Sequence, residues 1–171
     1  GGAVPGGGRG TGRAVARAAA AEGAAVVVND YGVSMDGKEP TSEVADSVVE
    51  EIKRAGGRAV ANANSVTTME GGASIVQSGI DTFGRIDGVV CVAGILRERM
   101  LFTMPEAQWD PVTRAHLKGT STVFRSAAPR FRAHQAGTTS RSPSDRSPSR
   151  AAQPPATPPP RRPPTDSPRP P

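Results

Sequence analysis

Near the start of the sequence, Gly6-Gly-Gly-Arg-Gly10-Thr-Gly12 lies between a short apolar stretch, Ala3-Val4, and an alanine-rich segment. A glycine turn that opens a helix presents unpaired backbone N–H groups and the positive end of the helix dipole, which together make a phosphate cradle. The spacing fits neither G-x-G-x-x-G, which needs glycine where Thr11 stands, nor a P-loop, whose Lys-Ser/Thr pair is missing. A plain flexible turn has the same composition. Asp30 favours the cradle: it closes the next apolar run about 18 residues after Gly12, near the spacing of roughly 20 at which an acid meets ribose hydroxyls. Its other reading is a turn or cap residue. Arg9 adds a cation for a phosphate, whereas Asp30 would repel a 2′-phosphate, so the pair points to NAD in preference to NADP.

These residues need elements to hold them, and up to about Arg132 the chain alternates β-branched apolar runs with helix-period segments, the pattern of βαβ units and a parallel sheet. The run Ala25-Val-Val-Val-Asn29 reads as a strand buried on both faces. The alanine-rich stretch Ala14 to Glu22 reads as a helix closed by Gly23. A helix follows Ser42 through Val44, Val48, Val49 and Ile52, then a strand over Arg58 to Asn62. Thr67 and Glu70 have capping-box spacing ahead of a helix that carries Ile75, Val76, Ile80 and Phe83 and stops at Gly84. Ile86 to Val92 is the next strand. Asp110-Pro111 reads as an N-cap with proline at the first helical position, opening a helix through Val112, Leu117, Val123 and Phe124 that ends near Pro129. The expected fold is α/β, a Rossmann-type doubly wound parallel sheet of about four strands, incomplete at its C-terminal side and followed by a disordered tail. The last strand would then lack a neighbour and expose an apolar edge open to oligomerisation or aggregation.

Composition divides the chain at the same place. Residues 1–132 form the expected nucleotide-binding domain and residues 133–171 the tail. From residue 134 onward there is no Val, Ile, Leu, Met, Phe, Trp, Tyr or Cys, and 12 of the 17 prolines fall there. Nothing in such a segment offsets an ordering entropy of roughly 1–2 kcal/mol per residue. Its six arginines against Asp145 and Asp166 carry most of the net charge of +5. A single cysteine, Cys91, excludes an intrachain disulfide, speaks against a structural zinc site, and suits a reducing cytoplasm. No apolar run reaches the roughly 20 residues of a membrane span. The tail allows an alternative of another class, a non-catalytic module whose basic tail binds RNA or, through polyproline around Pro154 to Pro164, a partner protein. No aromatic residue is available there for base stacking, which argues against nucleic acid. Its Pro, Arg, Ala, Ser and Thr bias also matches out-of-frame translation of GC-rich codons, so a frameshifted or truncated reading frame is the expected origin.

Gly6-x-x-x-Gly10-x-Gly12, the strand ending Val28-Asn-Asp30, the Asn64-Ser-Val66 segment and Ala93-Gly94 together resemble the N-terminal half of the short-chain dehydrogenase/reductase family. Val27-Val-Asn-Asp30-Tyr-Gly-Val with His116-Leu-Lys-Gly119 resembles its hydroxyacyl-CoA dehydrogenase-like subgroup. The resemblance implies an NAD(P)-dependent oxidoreductase that interconverts a secondary alcohol and a ketone, with a 3-hydroxyacyl thioester as one substrate class. It implies that Gly6, Gly10, Thr11 and Gly12 line the pyrophosphate and that Asp30 takes the adenosine ribose. Asn64, Ser65 and Val66 would approach the adenine, and Ala93-Gly94 would back the nicotinamide ribose. Pro5, Cys91 and Val92 depart from the family pattern, and His116 stands where many members have Asn. Hydride transfer in the family also needs a Ser, a Tyr and a Lys four residues later. Tyr31 is the single tyrosine, Met35 follows it at that spacing, and no lysine occurs after Lys118, so no residue is assigned to catalysis and a small-molecule substrate is expected only for an intact version.

Overall fold

The computed structural model describes residues 1–32 and 41–141; the expected disordered and polyproline parts of the tail beyond residue 141 lie outside them. Strand β1 (Gly2–Pro5) leads through the glycine turn to α1 (Gly10–Ala21) and β2 (Ala25–Asn29). Then come α2 (Glu43–Arg54), β3 (Arg58–Asn62), α3 (Met69–Phe83) and β4 (Gly88–Cys91). After a 3-10 turn at Leu101–Thr103, α4 (Glu106–Thr113) runs through a π-helical turn (Arg114–Lys118) into α5 (Gly119–His134), and β5 (Thr138–Arg141) closes the sheet. All pairings are parallel and the order is β3-β2-β1-β4-β5, the first five positions of the doubly wound order 3-2-1-4-5-6. No helix among the described residues is long and apolar enough to cross a membrane.

The strand side chains alternate between two cores, which is why the β2 run is apolar without a break. Val4, Val26 and Val28 meet Ala16, Ala20, Ala45, Val48, Val49 and Ile52 on the α1 and α2 face. Ala3, Val27 and Val89 meet Ile75, Val76, Ile86, Val123 and Ala127 on the α3 and α5 face. Alanine on α1 lets that helix lie close to the sheet, and the left-handed backbone at Gly84 ends α3 as its sequence predicts.

The structure corrects several expectations. The sheet has five strands rather than about four, and β4 is not an exposed apolar edge, because Thr138–Arg141 pairs with Gly88–Cys91 along its whole length. Pairing needs backbone groups and extended conformers, which Thr138 and Thr139 favour, and does not need apolar side chains. The edge is instead that of β5, whose residues are all exposed. Order also continues past the boundary at Arg132, through the end of α5 and all of β5. The capping residue of α3 is Thr68, whose hydroxyl accepts the Gly71 N–H at 3.0 Å, and not Thr67, which turns to Ser65. Asp110-Pro111 lies inside α4 rather than at its start, since Pro105 precedes the first helical residue, and α5 continues through Pro129 to His134. Both prolines sit on exposed positions, where a missing backbone donor leaves a carbonyl that water can reach.

Pro129 therefore costs the helix a hydrogen bond without adding packing. Replacing it by Ala should raise the urea unfolding midpoint, with a stabilisation of roughly 1–3 kcal/mol. An unchanged or lowered midpoint would mean that α5 requires a bend at this residue.

Candidate functional site

The C-terminal ends of the strands converge on a cavity of about 430 Å³. Gly6, Arg9, Gly10, Thr11, Gly12, Asp30, Asn64, Ser65, Val66, Ala93 and Gly94, the residues singled out from the sequence, all line it. Asn29, Tyr31, Gly32, Thr67, Val92, Ile95 and Ala115 complete its wall.

The glycines are there because the chain passes too close to its neighbours for side chains. At Gly6, where φ is +80°, a Cβ would stand 2.5 Å from the Ala93 nitrogen. At Gly12 it would overlap the Gly6 carbonyl oxygen, and at Gly8 it would stand 2.5 Å from Asp30 Oδ2. The turn is tied down from below, since the N–H groups of Gly6 and Gly7 both donate to the Asn29 carbonyl, at 2.8 and 2.9 Å. Pro5 offers no donor, yet its carbonyl accepts the Val92 N–H at 2.8 Å. This backbone bond joins the ends of β1 and β4 where the family pattern would have polar side chains. Beyond the turn, the N-cap residue Arg9 makes no side-chain cap to α1, so the first-turn N–H groups of that helix have no such partner. A helix start of this kind, bare of side chains and lining a cavity, fits a pyrophosphate.

Asp30 stands beside the turn. Its two carboxylate oxygens accept the Gly8 N–H at 3.1 Å and the Gly32 N–H at 3.0 Å. It is thus an anchor of the loop, as its turn reading expects, as well as an acid on the cavity wall. Across the cavity, Asn64, Ser65 and Val66 form a turn held by Asn62 Oδ1, which accepts the Asn64 N–H at 2.9 Å, and by a Ser65–Thr67 hydroxyl contact of 2.9 Å. The Thr122 hydroxyl of α5 donates to the Val66 carbonyl and locks this turn onto the helix.

The far end is built by β4 and the π-helical turn. His116 comes from that turn, and its Nε2 donates to the Ile95 carbonyl at 2.9 Å. The ring lies against Gly94, where a Cβ would overlap it. π-turns recur where a helix must aim a side chain at a functional site. Cys91 is buried beneath, and burial pushes its thiol pKa up, so the protonated thiol is the form present at neutral pH and is a poor nucleophile.

Asn29 and Asn62 do not stand out in the sequence, because each looks like the polar end of an apolar strand. A usable signal exists, since strand ends at this side of a parallel sheet face the ligand crevice.

The short chain dehydrogenase family model matches residues 3–139. A short-chain type dehydrogenase/reductase of Mycobacterium tuberculosis is 48% identical over 134 residues, covering 78% of this chain and 47% of that protein. The peroxisomal hydratase-dehydrogenase-epimerase of Neurospora crassa is 42% identical over 141 residues, 82% of this chain and 15% of that one. Among solved structures, a 7α-hydroxysteroid dehydrogenase in complex with NADH and a 7-oxo bile acid superposes with a TM-score of 0.73 at 25% identity, covering 82% of this chain and 51% of that one. The chain thus spans about half or less of the length of these relatives.

Gly6 and Gly10 make different demands. Gly6→Ala, with a left-handed backbone and no room, should destabilise the protein by about 2 kcal/mol or more. Gly10→Ala, whose Cβ would meet nothing within 4 Å, bears only the conformational penalty and should cost about 1 kcal/mol. Urea unfolding of the two variants checks the order; equal losses would show that the close approach at Ala93 is not maintained in solution.

Proposed function

The chain belongs to the short chain dehydrogenase family, and from that premise we propose that residues 1–141 form the NAD-binding half of a dehydrogenase that interconverts a secondary alcohol and a ketone. The observation that carries this reading is the one cavity on which the glycine turn, Asp30, the Asn64–Val66 turn and Ala93-Gly94 converge. Gly6 and the first turn of α1 would hold the pyrophosphate, assisted by Arg9. Asp30 would accept from the adenosine ribose hydroxyls, the Asn64–Val66 turn would bound the adenine, and Ala93-Gly94 would back the nicotinamide ribose. The bound cofactor supplies the hydride acceptor or donor; the protein's part is to fix its position.

Asp30 sets the preference for NAD, because a 2′-phosphate would face its carboxylate across a short gap. The name of the Neurospora relative, which joins a hydratase to a dehydrogenase, supports a substrate class. Hydration of an enoyl group creates a secondary alcohol, the group that the dehydrogenase step oxidises, and a 3-hydroxyacyl thioester has that form. The 171 residues hold one tyrosine, Tyr31, without a lysine four positions later. We therefore assign binding of the cofactor to this chain and none of its residues to the transfer step. Cys91, free and buried, suits a reducing setting, and the Neurospora relative's name adds the peroxisome to the cytosol as one.

NADH fluorescence titration tests the reading. Saturable binding is expected, with NADPH weaker by about 10–100-fold, the range for a lost or opposed charge-assisted hydrogen bond. Asp30→Ala should narrow the ratio of the two affinities to about twofold, whatever it does to the loop. Absence of saturable binding, or equal affinity for the two cofactors, would overturn it.

A further inference from the structure

Asn29 is 1% exposed and closes β2, the central strand of the α1–α3 half of the sheet. Its main chain and its side chain serve different walls of the cavity. The carbonyl receives the N–H groups of Gly6 and Gly7, as any residue's carbonyl could. The two N–H groups of the side-chain amide Nδ2 are shared among the Asn62 carbonyl at 3.0 Å, Asn62 Oδ1 at 3.0 Å and the Asn64 carbonyl at 2.9 Å. Three acceptors around one nitrogen also settle which end of the amide is which.

The network continues outward. Asn62 Nδ2 donates to Ser78 Oγ at 2.9 Å and to Ser74 Oγ at 3.2 Å, and Asn64 Nδ2 donates to Ser74 Oγ at 2.9 Å. The turn that follows β3 is thereby suspended between the Asn29 amide on one side and the hydroxyls of α3 on the other. The C-terminal end of the turn is held separately, by Val66 in the α3 and α5 core and by the Thr122 hydroxyl on its carbonyl, so the Asn29 amide bears on the Asn64 end, whose side chain meets Ser74.

We infer that Asn29 is a positioning residue that holds the Asn64–Val66 wall at a fixed distance from the glycine turn, so that its amide governs recognition of the adenosine half and not of the nicotinamide half. This rests on the dinucleotide reading above and goes beyond it by assigning a specificity role to a buried residue whose side-chain donors are spent on the protein's own acceptors. Removing the amide leaves the Asn64 carbonyl without this donor and frees that end of the turn to shift, while the Asn62 carbonyl keeps the Asp30 N–H at 3.1 Å and the Asn29 carbonyl still holds Gly6 and Gly7. The end of the cavity built by Ala93, Gly94, Ile95 and Ala115 follows β4 and the π-helical turn and shares none of the Asn29 amide's bonds.

The test is a pair of titrations of the full chain, with ADP-ribose and with nicotinamide mononucleotide, followed by backbone amide NMR. Asn29→Ala should weaken ADP-ribose roughly tenfold and leave nicotinamide mononucleotide within about twofold. The amide resonances of residues 64–67 should move in the free variant while those of Gly6 and Gly7 stay. Ser78→Ala, remote from the cavity and mild for the fold, should shift the same ratio in the same direction by a smaller factor; it carries the test if Asn29→Ala does not fold. Equal weakening of both probes, or an unchanged ratio in Ser78→Ala together with Asn29→Ala, overturns the inference. Failure of the unsubstituted chain to bind ADP-ribose is a different result, because it removes the dinucleotide reading and this inference with it.

Discussion

The turn between β1 and α1 reaches its neighbours only because the residues that approach them closely are glycines. Gly6 lies against Ala93, Gly12 against the Gly6 carbonyl and Gly8 against Asp30, and these three approaches set where α1 begins and how its free N–H groups face the cavity. Once the turn is that close, the remaining walls follow. The Asn29 carbonyl receives its N–H groups, the Asp30 carboxylate satisfies Gly8, and the end of β4 meets Pro5 through the Val92 N–H. Burial of the sheet by α1 and α2 on one face and α3 and α5 on the other makes this arrangement rigid, but the glycines decide its geometry.

Much of this is legible in the sequence, for physical reasons that differ between elements. β2 and β3 announce themselves as β-branched or small apolar runs of strand length, and α2 and α3 as amphipathic stretches with helix stops in glycine. The cavity residues are legible because phosphate and ribose recognition needs few residue types at narrow spacings, as Gly6 to Gly12 and Asp30 display. What the sequence hides is governed by tertiary context. Pro111 and Pro129 look like helix boundaries, but an exposed helical proline loses one hydrogen bond and no more, and the packing of Val123 and Ala127 against α3 and the sheet carries the helix through. Thr67 and Thr68 are equivalent by composition, and the Ser65 hydroxyl decides between them by engaging the first. β5 is hidden because a strand on a sheet edge needs neither apolar residues nor alternation, which is the signal that a sequence offers.

Departures from the family pattern are absorbed by backbone rather than by substitute side chains. Where Cys91 and Val92 stand in place of amides, the Val92 N–H reaches the Pro5 carbonyl, and Thr120 sets its hydroxyl near the Cys91 sulfur, 3.8 Å away. The same hydroxyl donates to the His116 carbonyl at 2.7 Å, within the π-helical turn. The strand beneath the far end of the cavity and the turn above it are therefore joined through one threonine, and the position of the His116 ring depends on both.

β5 has a consequence for how the sheet opens. All four of its residues are exposed, so the ladder to β4 is held by main-chain bonds with little side-chain burial behind them, and such a strand is the first unit to detach in a sub-global opening. Detachment would strip the protection of the β4 amides that point toward it while those of β1 and β2 stay closed. Amide exchange across the sheet should then be graded, slow on the β3-β2-β1 side and fast at β4, and the end of the cavity built by Ala93-Gly94 would share the faster regime.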